Sequence, residues 1–181
     1  VARYVAFLRG MNLGKRRLTN EALVAAFDGL GFTSVTPFLA SGNVVFDTKK
    51  QALATLGAKI ERGLQAALDY SVPTFLLRAE DVRRIAAHEP FGERLLRGTT
   101  KNVQVLLLRA RPTEQAAREV LSLASIEDHL VFGPEELYWL PKGNMSASEL
   151  DLARIERAIG PTTMRAQRTM ARLATKFLDA V

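Results

Sequence analysis

Three short stretches hold the residues whose chemistry stands out. The first is Arg9-Gly10-Met11-Asn12-Leu13-Gly14-Lys15. Gly10 and Gly14 let the backbone approach a ligand closely, the Asn12 amide both donates and accepts, and Arg9 and Lys15 add positive charge. Where such a loop opens a helix it suits an anion such as phosphate. The second is Ser41-Gly42-Asn43, small, polar and tolerant of positive φ, which also fits a plain hairpin turn. The third is Arg165, whose guanidinium could grip an anion at the start of a basic C-terminal helix. A pocket built from all three would use Arg9, Lys15 and Arg165 for charge and Asn12, Ser41 and Asn43 for orientation. Catalysis in it would rest on positioning and charge stabilisation, so no catalytic residue is assigned and enzyme activity is left open.

Other chemistries find less support. The chain has no cysteine, which excludes disulfide scaffolds, thiolate zinc sites and thiol catalysis. Its two histidines, His88 and His129, have no neighbouring ligand pattern. The pairs Glu135-Glu136 and Glu80-Asp81 read as a turn and a helix start, where carboxylates are solvated or favour the helix dipole. No Ser-His-Asp order, phosphate-binding P-loop or dinucleotide fingerprint is present. Neither a metal nor a cofactor is expected.

These stretches sit in a chain of 181 residues, 48% hydrophobic and 24% charged, long enough for one domain or two small ones with a sizeable core. No apolar run approaches the ~20 residues that cross a bilayer. Residues 4–8, apolar between Arg3 and Arg9, are too short for a secretory signal. The expected location is cytoplasmic. The net charge is +6, and residues 1–20 carry +5, residues 161–181 carry +3 and the remainder −2. Basicity at both ends makes a local positive field if the ends meet. Arginine outnumbering lysine 18 to 7 is also what a GC-rich genome produces.

The elements that must hold the three stretches follow from pattern. Residues 3–9 read as a strand. Thr19 can cap a helix with Leu23, Ala26, Phe27 and Leu30 on its apolar face, ended by Gly31. Residues 35–39 and 43–47 are strands around a hairpin-like connection, and Thr48 opens a second helix with Leu53, Leu56, Ile60, Leu64 and Leu68 at helical spacing. Residues 72–78 make a fourth strand. This βαββαβ order is ferredoxin-like, with the first and third strands central. Pro37 and Pro73 then fall on edge strands, where a missing donor is tolerated.

The pattern returns after a short helix near residues 81–87. Residues 102–109 form a strand, and Thr113 begins a helix with Ala117, Val120, Leu121 and Ala124. Residues 130–132 and 137–140 form a hairpin, and Ser146-Ala147-Ser148-Glu149 is a capping box before a further helix. The expected fold is α+β: two ferredoxin-like halves with antiparallel sheets, at 1–78 and 100–160, a helical linker at 79–100, and a basic amphipathic helix at 161–181. In that last helix Met170, Leu173, Ala174, Phe177, Leu178 and Val181 form the apolar stripe. Opposite it lie Arg165, Arg168, Arg172 and Lys176. Both central strands are apolar at successive positions, so both faces of each sheet should be covered, by the other half, the last helix or a second copy.

Four segments resemble the bacterial family called domain of unknown function 1697. They are Arg9 to Gly14, Ser41-Gly42-Asn43-Val44-Val45-Phe46, Trp139-Leu140-Pro141-Lys142-Gly143, and Thr163-Met164-Arg165 with Thr169 and Leu173. The resemblance spans essentially the whole chain. It implies a cytosolic α+β protein with ferredoxin-like halves and no established activity. The family's Arg-Gly-Ile-Asn-Val-Gly-Gly loop corresponds to Arg9 to Lys15, with Lys15 in place of the final glycine. Its Ser-Gly-Asn turn is kept. Its Thr-Thr-Arg-Asn-Trp-Asn-Thr segment corresponds to Thr163 to Thr169, with Arg165 and Thr169 kept and Ala166, Gln167 and Arg168 replacing Asn-Trp-Asn. The resemblance thereby adds Thr169 to the candidate ligand-binding residues.

Three functions are compatible with these readings. One is binding of a phosphate-bearing small molecule or other anion at the Gly/Asn/Arg loop. Another is non-catalytic nucleic-acid binding through Arg9, Asn12, Lys15, Arg16, Arg17, Arg165, Arg168 and Arg172, salt-sensitive and blind to sequence. RNA-recognition chemistry is not indicated, since residues 43–47 hold one aromatic where such sheets expose two or three. The last is a protein-interaction module, including a homo-oligomer. A membrane partner is not expected.

Overall fold

A computed structural model describes residues 1–11, 17–40 and 42–178. The chain divides into two compact units, one made of Val1–Arg83 with Leu173–Val181 and the other of Arg84–Arg172.

The first unit contains β1 (Ala2–Leu8), α1 (Asn20–Gly29), β2 (Thr33–Phe38), β3 (Asn43–Thr48), α2 (Leu53–Leu68) and β4 (Thr74–Arg78). Its antiparallel sheet has the order β2-β3-β1-β4. The first and third strands are therefore central and Pro37 sits on an edge strand, as the proline placement predicts. Pro73 lies just before β4, and its carbonyl accepts from Arg9 N–H at 3.0 Å. Thr19 caps α1, its Oγ1 accepting from Ala22 N–H. Thr48 does not open α2. It ends β3, paired with Ala2, and the helix starts five residues later, since the ladder outcompetes a local cap.

Alternation along the strands puts Tyr4, Ala6, Leu8, Val44 and Phe46 on one face, against Leu23 and Phe27 of α1 and Leu56, Ile60 and Leu64 of α2. The other face carries Val5, Phe7, Val45, Phe75 and Leu77, all buried. The end of the last helix covers part of it. Phe177 meets Phe38 edge-on at 5.6 Å, and Arg3, already paired with Asp47 at 2.8 Å, donates to the Phe177 carbonyl. The Arg3 hydrogen bonds hold the Asp47 carboxyl below the usual carboxylate range.

Two glycines of α2 predict opposite responses to alanine. A Cβ at Gly57 would find only Leu76 Cδ1, at 3.7 Å, so Gly57→Ala is expected to stabilise by about 0.5–1 kcal/mol through helix propensity. At Gly63 it would meet Leu30 Cδ2, with Cδ1 at 2.9 Å and Cγ at 3.0 Å. Leu30 would have to leave its place on the core, and Gly63→Ala is expected to lose about 1 kcal/mol. Urea midpoints of the two variants distinguish them.

The second unit repeats the scheme with β5 (Gln104–Leu108), α5 (Glu114–Leu121), β6 (Asp128–Phe132), β7 (Glu136–Pro141), α6 (Leu152–Ile159) and β8 (Thr162–Ala166), in sheet order β6-β7-β5-β8. Leu106, Leu130, Leu137 and Trp139 face Val120 of α5 and Ile155 of α6. Leu121, expected on the apolar face of α5, is 41% exposed instead. The remaining helices are α3 (Ala79–Ala87), α4 (Glu93–Leu96) and α7 (Gln167–Phe177). Residues 79–83 and 173–178 belong to the first unit, residues 84–87 and 167–172 to the second.

Further sequence expectations fail in the second unit. The stretch 161–181 is not a single helix, because Thr162–Ala166 is a strand paired with β5 from Leu108 to Gln104. Thr163 and Arg165 share one face and Met164 the other, a period-two pattern that the strong helical stripe beyond it hides. The capping box at Ser146 to Glu149 is also not used. Residues 145–147 form a 3-10 turn, and α6 is capped by Asp151, whose Oδ1 accepts from Arg154 N–H at 2.8 Å.

Both units thus have the ferredoxin-like βαββαβ order with antiparallel sheets. No helix among the described residues is long and apolar enough to cross a membrane.

Candidate functional site

In the first unit β1 ends in a turn at Arg9 and Gly10, and the β2–β3 connection passes through Gly42. Both glycines have left-handed backbones, φ +67° and +75°, which side chains resist. The two turns touch. Leu8 N–H donates to the Gly42 carbonyl at 2.8 Å, and a Cβ on Gly42 would lie 3.2 Å from Leu8 Cβ, 3.3 Å from Leu8 O and 3.4 Å from Met11 Sδ. A side chain there would crowd all three atoms and strain the left-handed backbone. Tyr70 Oη donates to the Met11 carbonyl at 3.4 Å, fastening the loop to the residues after α2.

Of the candidate residues, Arg9, Gly10, Gly42 and Asn43 therefore gather at one end of the first sheet. Arg9 is half-buried. Asn43 is fully buried, and its Nδ2 donates to the Phe38 carbonyl at 3.0 Å, so this amide closes the hairpin it stands in. Asn12, Gly14, Lys15 and Ser41 lie outside the described residues.

Arg165 and Thr169 belong to the second unit. Arg165 is not at a helix start. It sits in β8 opposite Val105, half-buried, with Nη1 donating to Thr163 Oγ1 at 2.9 Å and to the Met164 carbonyl at 2.8 Å. Desolvation pulls its pKa down to about 10, still high enough to keep the cation at neutral pH. Thr169 is in the first turn of α7.

Sequence reasoning missed two buried polar clusters of the second unit. Glu136, read as a solvated turn carboxylate, is the first residue of β7 and has no exposed surface. It accepts from Arg84 at 2.6 and 3.1 Å, from Tyr138 Oη at 2.7 Å and from Glu135 N–H at 3.0 Å. Burial pushes its carboxyl up, but these donors outweigh burial and hold it below its ordinary range. Burial and the bond to Glu136 push the Tyr138 phenol up. In the second cluster Asp128 Oδ1 accepts from Trp139 Nε1 at 2.8 Å and Ser148 Oγ at 2.7 Å. The alternation of Glu136 with apolar neighbours was the available signal, since Glu136 and Tyr138 share one face of a strand. Among the described residues no group of three or more His, Cys, Asp or Glu could hold a metal ion.

Comparison with known proteins agrees with this architecture. No curated protein matches the sequence. Among solved structures, the conserved bacterial protein SP0830 from Streptococcus pneumoniae superposes with a TM-score of 0.71 at 21% identity. The match covers 96% of this chain and 97% of that one, a likeness of fold. The model of a family described as a protein of unknown function, DUF1697, matches residues 1–138. That match takes in both glycine turns and reaches into β7, and the chain belongs to the DUF1697 family.

Proposed function

We propose that the protein binds a phosphate-bearing or other anionic small molecule at the paired glycine turns of the first unit. The observation that carries this reading is the contact between the two turns, which sets backbone without side chains beside Arg9. Left-handed glycines, Gly10 in one turn and Gly42 in the other, keep these stretches of backbone free of side chains, and the Arg9 guanidinium next to Gly10 adds positive charge. The +5 charge of residues 1–20 raises the local concentration of anions.

Calorimetric titration with inorganic phosphate and pyrophosphate tests it. Binding is expected at low salt, weakening as salt rises. Arg9→Gln is expected to lower affinity about tenfold, the equivalent of ~1.4 kcal/mol. No binding at low salt, or equal binding by the Arg9→Gln variant, overturns the reading.

A nucleic-acid reading has one observation in its favour. Arg168, Arg172 and Lys176 are exposed at every fourth residue of α7, so they form one basic stripe. Duplex binding whose affinity falls steeply with salt, and falls further when the three are replaced by glutamine, would favour it.

A further inference from the structure

The second unit holds a recess of about 580 Å³ that no step above uses. This is within the ~300–1,000 Å³ range of small-molecule sites. It lies between the end of α3, α4 and the approaches to β5, with buried Phe91 in its lining. Gln167 forms part of the wall, its Nε2 donating to the Ile85 carbonyl at 2.9 Å and the His88 carbonyl at 2.6 Å. Those bonds commit both amide hydrogens and leave Oε1 as the group able to accept. The His88 ring rests on Tyr138, 5.1 Å between centroids, and is exposed.

The charges of this lining balance. Glu89 and Lys101 are exposed, of opposite sign, and neither has an ion-pair partner among the described residues. Glu93 and Arg97 form a loose pair at 3.8 Å, with side chains 92% and 82% exposed. An anion would meet as much negative as positive charge here, and an uncharged apolar ligand would leave both unused. A molecule carrying an ammonium and a carboxylate on an apolar body uses all of it. We propose that this recess binds a zwitterion of dipeptide size with aliphatic or aromatic side chains. Glu89 would receive the amine, Lys101 the carboxylate and Gln167 Oε1 the peptide N–H, while the side chains lie against Phe91 and His88. This site is separate from the glycine turns, and its fate does not depend on theirs.

The test is a titration of the intact chain with leucyl-phenylalanine, followed through the His88 imidazole proton resonances. A saturable shift is expected. N-acetylation or C-amidation of the dipeptide should each weaken binding about fivefold, the scale of one exposed ion pair. Glu89→Gln should weaken the free dipeptide by a similar factor and make N-acetylation cost nothing further, and Lys101→Met should do the same for C-amidation. Both positions are exposed, and an unchanged urea midpoint confirms that each variant is folded. Absence of a saturable shift, equal binding of free and blocked dipeptides, or the same shift with inorganic phosphate alone overturns the proposal.

Discussion

Replacing Glu136 with alanine is expected to lower the free energy of unfolding by about 3 kcal/mol, the lower end of the cost of breaking a buried ion pair. The loss stays at that end because the Arg84 side chain is 36% exposed and can be rehydrated. The carboxylate has no such escape, and its removal also strips Tyr138 Oη and Glu135 N–H of their acceptor. Glu136→Gln keeps one acceptor oxygen but loses the charge and sets an NH2 against the donors that the other oxygen serves, so a smaller loss of about 2 kcal/mol is expected. The pH dependence separates the two contributions. The Glu136 carboxyl titrates lower in the folded chain than in the unfolded one. Its stabilisation is therefore complete above the unfolded value of about 4.3 and is lost as pH falls through the folded value. Urea unfolding of both proteins at pH 7 and pH 3 checks this, with a shallower acid loss expected for Glu136→Gln. Equal acid sensitivity would show that the cluster does not carry the linkage.

Replacing Phe46 with alanine is expected to cost about 4 kcal/mol, the middle of the range for a buried phenylalanine. Its ring stands 4.6 Å from Phe32, 5.4 Å from Phe27 and 5.8 Å from Tyr4 between centroids. Truncation opens a cavity where α1, β1 and the residues before β2 meet. Phe46→Leu fills most of that volume and should cost less than half as much. The effect bears on function because β3 starts at Asn43, directly after the Gly42 turn. A drop in urea midpoint with phosphate affinity per folded molecule unchanged is the expected combination.

Much of the architecture was legible because its determinants are local. Thr19 and Thr113 cap the helices they were expected to cap, since a hydroxyl reaching the N–H three residues on needs nothing from elsewhere in the chain. The strand order followed from counting elements and placing Pro37. Local signals failed where a distant partner competed. Thr48 has the chemistry of a cap, but its pairing with Ala2 claims it for the sheet. The box at Ser146 to Glu149 has the chemistry of a cap for α6, but Ser148 within it donates to Asp128, twenty residues away. Thr162 to Ala166 look like the run-up to a helix until β5 offers an unpaired edge.

Of the candidate site, the sequence alone determined which residues could do chemistry and that one stretch follows, and another leads into, a central strand of one sheet. Glycine's freedom, the guanidinium's charge and strand alternation are properties of residue type and spacing. Tertiary structure decided which candidates are spent on structure. It buried Asn43 against the Phe38 carbonyl, moved Arg165 from a helix start into a strand, and turned Glu136 from a solvated turn residue into the buried partner of Arg84. The reason is the same in each case. A polar group's role depends on whether water or a partner satisfies it, and that partner stands far away in the chain.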